Sequence, residues 1–303
     1  MSPVMTTLAV LFGLIALGWI IRRFHWVDDG FWRPAERLTY ILLFPALLVR
    51  SLANANLTAL PTLRIAAALV GAIVLVGGAL YLARRKVAHD GPAFSSVFQG
   101  AMRYNTYIAL GVVVGAARAD LLPLAAIAIV VMIPLLNALS VVVLTQHGDN
   151  EIKRNALVEI ARNPLILGCV VGMALSVSGV GLAAPVDRML DVLGQASLGL
   201  ALLAIGAGLS LDAVRGRTRE IALACTVKLL VMPAVTALLL LALGVHGAPA
   251  AVAILFQAVP TATNSYILAR QMGGDADLMA GIITVQTIAA VVTLPVVLAL
   301  WPL

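Results

Sequence analysis

Residues 105–109 read Asn-Thr-Tyr-Ile-Ala, and residues 264–269 read Asn-Ser-Tyr-Ile-Leu-Ala. The two asparagines stand 159 positions apart in a chain of 303, so one copy falls in each half. Asn, a hydroxyl residue, Tyr and Ile align without a gap. Both segments lie inside long apolar runs, where polar residues are costly and therefore informative. A weaker echo joins Gly13 to Gly172 at the same offset.

Those runs dominate the chain. Hydrophobic residues make up 62% of it and charged residues 11%, against about a quarter charged in an ordinary soluble domain. The mean hydropathy is +1.04. A bilayer core takes about 20 residues per helix, and ten stretches qualify: 4–21, 34–52, 60–82, 94–117, 121–145, 160–178, 185–210, 218–243, 249–270 and 278–300. Membrane β-strands alternate over about 10 residues, which these continuously apolar runs do not. The fold class expected is an all-α polytopic membrane protein. The opening MSPVMTTLAVLFG has no basic region before its apolar run and reads as the first span, not a cleaved leader. Cys169 and Cys225 lie within apolar runs, and His25, His89, His147 and His246 fall in connections, so no metal or disulfide site is expected.

Spans four and five are separated by little more than Ala119-Asp120, and loop charge decides that they are two. With the N-terminus outside, cytoplasmic connections carry Arg22, Arg23, Arg33, Arg37, Arg84, Arg85, Lys86, Lys153, Arg154, Arg162, Arg215, Arg217, Arg219 and Arg270. The opposite side carries Arg50, Arg64, Arg118 and Arg188. A 14-to-4 split follows the positive-inside rule, explains the net charge of +6 without nucleic acid, and sets both termini on the non-cytoplasmic side of an inner (plasma) membrane. Each echo segment is then the fourth span of its half. Five spans per half is odd, so the second copy enters from the other face: an inverted 5+5 repeat, residues 1–150 and 151–303, as in many secondary transporters.

Arg103 lies about ten residues into span four, where a charge must face protein or water. Ser96, Gln99, Arg103 and Thr106 recur at helical spacing and make one face polar. A guanidinium fork suits a carboxylate or phosphate; holding helices together through backbone carbonyls is the alternative. Lys228 is similarly deep in span eight. The nearest acidic residue to a span centre is Asp191, in span seven. Two buried cations without a mid-span carboxylate leave positive potential that a bound anion or a neutral lysine would relieve. In span nine, Gln257-Ala-Val-Pro260-Thr261-Ala-Thr263-Asn264 joins a proline to a hydroxyl and amide cluster, the composition of a broken helix at a midplane site. Asn137, Gln195 and Gln286 could contact substrate, hold a cation or bond between helices. Gly77-Gly78 and Gly206-Ala207-Gly208 permit close helix approach. No His-x-x-x-His pair, phosphate loop or carboxylate cluster supports an enzyme.

The Arg-Tyr-Asn-Thr of 103–106, the Val-Pro-Thr-Ala-Thr-Asn of 259–264 and the Phe-Pro-Ala of 44–46 resemble the auxin efflux carrier family, which includes malonate-carrier-like and PIN-like permeases. The resemblance runs over essentially the whole chain and implies a fold akin to bile acid:sodium symporters. Spans 1, 2, 6 and 7 would form a scaffold, and spans 3–5 and 8–10 a transport domain in which broken helices four and nine cross. Asn105 and the Pro260–Asn264 stretch fall where that crossover lies. Span four departs from symmetry, having no proline opposite Pro260, so either unwinding or a bent continuous helix would fit. The function implied is elevator-like secondary transport of a small organic anion, with Arg103, Asn105, Thr106, Pro260, Thr261, Thr263 and Asn264 binding substrate. Lys228, Asp191, Gln195, Asn137, Gln257 and Gln286 are the further candidates for an anion or coupling role. No cofactor is expected beyond coupling to Na+ or H+, and a homodimer is compatible. The rival readings are a sodium-coupled bile-acid-like symporter and a channel or receptor module.

Overall fold

The computed structural model describes residues 3–54, 62–116, 121–149, 162–214 and 216–303. The Ala119-Asp120 separator, the 150/151 repeat boundary, the span ends at 60, 117 and 160, and the basic residues Arg118, Lys153, Arg154 and Arg215 lie outside them. Among the described residues the regular structure is helical throughout. The helices are α1 (Pro3–Arg23), α2 (Asp29–Leu38), α3 (Phe44–Ala53), α4 (Thr62–Leu82), α5 (Gly91–Met102), α6 (Thr106–Gly115) and α7 (Leu122–His147). They continue with α8 (Pro164–Ser178), α9 (Ala184–Ala207), α10 (Thr218–Thr226), α11 (Met232–Ala242), α12 (Gly247–Ala258), α13 (Asn264–Met272) and α14 (Ala276–Leu300). Six helical stretches are each long and apolar enough to cross a membrane: Met5–Arg23, Thr62–Leu82, Leu122–His147, Ala184–Ala207, Thr218–Ala242 and Ala276–Leu300. The chain is therefore a multi-pass membrane protein.

Local chemistry explains where helices start and change pitch. Asn163 accepts hydrogen bonds from the amides of Leu165 and Ile166, with Pro164 next to it at the first helical position. Asp90 and Asp275 cap α5 and α14 in the same way through Ala93 and Leu278. Two π-turns, Thr39–Leu43 and Val227–Val231, join α2 to α3 and α10 to α11. Each lies just ahead of a proline, Pro45 or Pro233. A proline ring clashes with the carbonyl four residues back, and that residue falls inside the π-turn in both cases. The widened turn keeps the chain helical past the proline.

Two packing groups emerge. In the first, α1, α3, α8 and α9 lie against one another. Gly18 meets the Leu203 carbonyl and Gly206 the Ile15 carbonyl so closely that a Cβ at either would clash with backbone. On α8, a Cβ at Gly172 would clash with Leu52 and Val49 of α3, and one at Gly168 would press tightly on Pro45. Lipid supplies no hydrophobic drive between helices, so this close approach is what holds such contacts. Gly13, the expected counterpart of Gly172, has open space around it, so that echo does not mark equivalent contacts. In the second group α4, α5, α7, α10, α11, α12 and α14 pack together.

Candidate functional site

The span that begins at α5 stops at Met102, and the chain runs extended through Arg103 (φ −70°, ψ 161°) before α6 starts at Thr106. The break needs no proline. Asn105 serves as the N-cap of α6, its side-chain oxygen accepting from the amides of Tyr107 and Ile108 at 3.0 and 3.2 Å. Asparagine is among the residues that best stabilise a helix start, by about 1 kcal/mol over alanine. Span four is thus broken, and of the two conformations left open by its missing proline the unwound one is found.

The second break runs from Val259 through Thr263, between α12 and α13. The two interruptions touch: the Asn105 amide donates to the Pro260 carbonyl at 2.8 Å. A backbone group without a partner at membrane depth costs several kcal/mol, so interrupted helices need protein or water to cover them. Gln286 of α14 does much of this covering. Its carbonyl oxygen accepts from the Thr261 amide at 2.8 Å, and its amide donates to the carbonyls of Gly100 and Ala224 at 2.9 and 3.1 Å. The Thr261 hydroxyl reaches the Gln99 carbonyl at 3.4 Å, and the Tyr104 ring lies 5.6 Å from that of Phe256.

A cavity of about 1130 Å³ opens over this crossing. Its floor is formed by Arg103, Asn105, Thr106, Thr263 and Asn264, with Asn137 of α7 on one wall. Arg103 is 8% exposed and donates to the Asn264 side-chain oxygen at 3.1 Å. Two neighbouring elements, α6 and α13, begin at the floor, and helix starts carry partial positive charge. Arg33, Arg37, Arg162 and Arg270 also line the cavity, all exposed. Among its described lining residues the one carboxylate is Glu36. The chamber is strongly basic and able to attract an anion.

Several sequence candidates lie elsewhere. Asp191 pairs with Arg50 at 2.9 Å and Arg188 at 3.2 Å, in a cluster with Asp187 near the start of α9. Its charge is already answered there. Gln195 is exposed on α9, outside the cavity lining. Lys228 is fully buried inside its π-turn, packed toward α5, α12 and α14, with no hydrogen-bond partner for its amine among the described residues. Gln257 is likewise buried with an unpartnered amide. Depth counted along a span does not reveal which neighbour a side chain faces, and neither residue lines the cavity. Gln286 and Thr261 act on backbone, and Pro260 through its carbonyl.

Sequence reasoning missed Glu36 and Tyr40, which line the cavity from α2 and the π-turn after it. Glu36 sits near the edge of its span, where a charge is unremarkable, and its hydrogen-bond partner Thr263 is 227 residues away. The usable signal was the clustering of Arg33, Glu36 and Arg37 on one turn.

Comparison with known proteins adds the lineage. Residues 149–298 match the family model described as membrane transport protein. Over 138 residues the chain is 31% identical to the "Putative malonate transporter" of Rhizobium meliloti (strain 1021). That alignment spans 44% of this chain and 42% of the relative, less than half the length of either. Together with the paired motifs at 103–106 and 259–264, these matches make the chain similar to the membrane transport proteins of the auxin efflux carrier family, most directly over its second half.

Proposed function

We propose that this protein is a secondary carrier of small carboxylates, working by alternating access across the cytoplasmic membrane rather than as an enzyme or channel. The observation that carries the reading is the crossing itself. Two interrupted helices bond to each other through Asn105 and Pro260, and beside them Arg103 enters a basic cavity with Asn264 as its neutral partner. An arginine held by an amide oxygen keeps its charge uncompensated, so a carboxylate that replaces or joins Asn264 gains a charge-assisted bond. Malonate is the first substrate to try, because the Rhizobium relative is named for it.

On this reading the chain forms ten spans in two inverted five-helix repeats, 1–150 and 151–303, with both termini on the non-cytoplasmic side. The scaffold is the tightly packed set α1, α3, α8 and α9, with α2 leading into α3, and the remaining helices move as the transport domain. The close glycine contacts of the first set and the dense packing of the second support that division. The arginine-lined mouth of the cavity faces the cytoplasm, in keeping with the positive-inside rule. Substrate contacts fall to Arg103, Thr106, Thr263 and Asn264, with Asn105 shaping the floor beneath them.

The test is exchange in proteoliposomes. Vesicles preloaded with malonate should take up radiolabelled malonate saturably, and imposing sodium, proton or potential gradients in turn identifies the coupling ion. Flux that rises linearly with concentration would point to a channel. Absence of saturable exchange for malonate, succinate and acetate alike would end the carboxylate assignment.

A further inference from the structure

The hydroxyl of Thr263 is next in sequence to the arginine's partner Asn264, and it is already engaged. It donates to Glu36 Oε1 at 2.8 Å, bridging α2 and the second break. Glu36 shares its cavity with five arginines, at 33, 37, 103, 162 and 270. Among the described residues no ion pair within 4.0 Å joins it to any of them. The carboxylate is therefore directed to the crossover donor and not to neutralising its neighbours. The face of α9 packed behind α2 offers Leu203, Ala204 and Ala207 around Trp32, none of them titratable.

We propose that Glu36 is a resident competitor for the substrate's carboxylate, holding the Thr263 hydroxyl and giving it up when an anion binds. This rests on the carboxylate-carrier reading and deepens it by naming the residue that sets affinity. A carboxylate entering toward Arg103 needs the donors on that floor, and Thr263 is bonded to the same chemical group already. Displacing Glu36 costs one hydrogen bond, and its negative charge opposes an arriving anion across the cavity. Both effects weaken binding, which suits a carrier that must release its substrate as well as capture it. Displacement also parts α2 from the second break, so occupancy loosens a tie between the two packing groups.

The experiment is malonate binding to purified, monodisperse protein. Glu36→Gln removes the charge and weakens the acceptor, and should tighten malonate binding by about five-fold, the effect of about one net hydrogen bond. Glu36→Asp keeps the charge but shortens the reach to Thr263, and should tighten binding by less. A residue serving only structure gives the opposite or no change in affinity. Unchanged or weaker binding in both folded variants would overturn the proposal, and if Glu36→Gln fails to fold, Glu36→Asp decides alone. Wild type that binds neither malonate, succinate nor acetate would bring down the carboxylate reading itself, a separate and recognisable failure.

Discussion

The two breaks share a sequence signature and use it differently. At the first, Asn105 is 2% exposed and turns its side chain onto the amides of Tyr107 and Ile108, building the start of α6. At the second, the equivalent Asn264 is exposed to the cavity and is the first residue of α13, accepting from Arg103. No side chain caps α13 as Asn105 caps α6. One copy of the repeat has put its asparagine into the backbone; the other has left it available. A repeat in sequence therefore fixes where two interruptions lie without fixing which residue of each does chemistry.

The largest effect should come from Arg103, the cation both breaks converge on. Arg103→Ala should weaken malonate binding at least about ten-fold, since hydrogen bonds to charged groups contribute about 1.5–3 kcal/mol. Arg103→Lys should recover part of this, keeping the charge but losing the planar two-donor fork. Binding to monodisperse protein is the measurement. Unchanged affinity in well-folded Arg103→Ala would make the arginine a structural tie between α5 and α13.

The asparagines test the comparison directly. Asn105→Ala should lower the thermal midpoint, since loss of such a cap costs about 1 kcal/mol and the site is buried. Asn264→Ala should leave stability within about 0.5 kcal/mol, as exposed positions usually do, while altering malonate affinity. Parallel thermal scans and binding isotherms read both. Equal destabilisation by the two substitutions would mean that the breaks are equivalent after all.

What could be read from sequence follows the same line. Long apolar runs identify membrane-spanning helices because bilayer thickness acts on every span alike. The second break was legible in Pro260, a residue whose chemistry interrupts a helix by itself. The first was implied only by the family resemblance, because an asparagine cap is common in any polar sequence and only the amides it meets reveal its role. Glu36 was hidden for another reason: its meaning lies in a contact with Thr263 made only after the two halves fold together. Lys228 and Asp191 show the opposite case, in which depth along a run says nothing of surroundings. Both are charges in apolar runs, yet one is enclosed by helices and the other is matched by Arg50.

The smallest effect should come from Pro260, although it is the most conspicuous residue in either break. A proline interrupts a helix by lacking an amide hydrogen and by crowding the carbonyl four residues earlier. Alanine at this position would regain the hydrogen and could extend α12 by one residue. Three bonds oppose that extension, and none depends on the pyrrolidine ring. The carbonyl of residue 260 is held by the Asn105 amide, the Thr261 amide by Gln286, and the Thr261 hydroxyl by the Gln99 carbonyl. The first break, moreover, stands without any proline. Pro260→Ala should then shift stability by no more than about 1 kcal/mol, the usual scale of proline effects acting through the unfolded chain, and leave malonate affinity within about two-fold. Gln286→Leu, which strips the partner from the Thr261 amide and from the carbonyls of Gly100 and Ala224, should be the more damaging of the two by thermal midpoint. If Pro260→Ala instead abolishes binding in folded protein, the ring is what opens the second helix, and the two breaks are made by different physics as well as used for different ends.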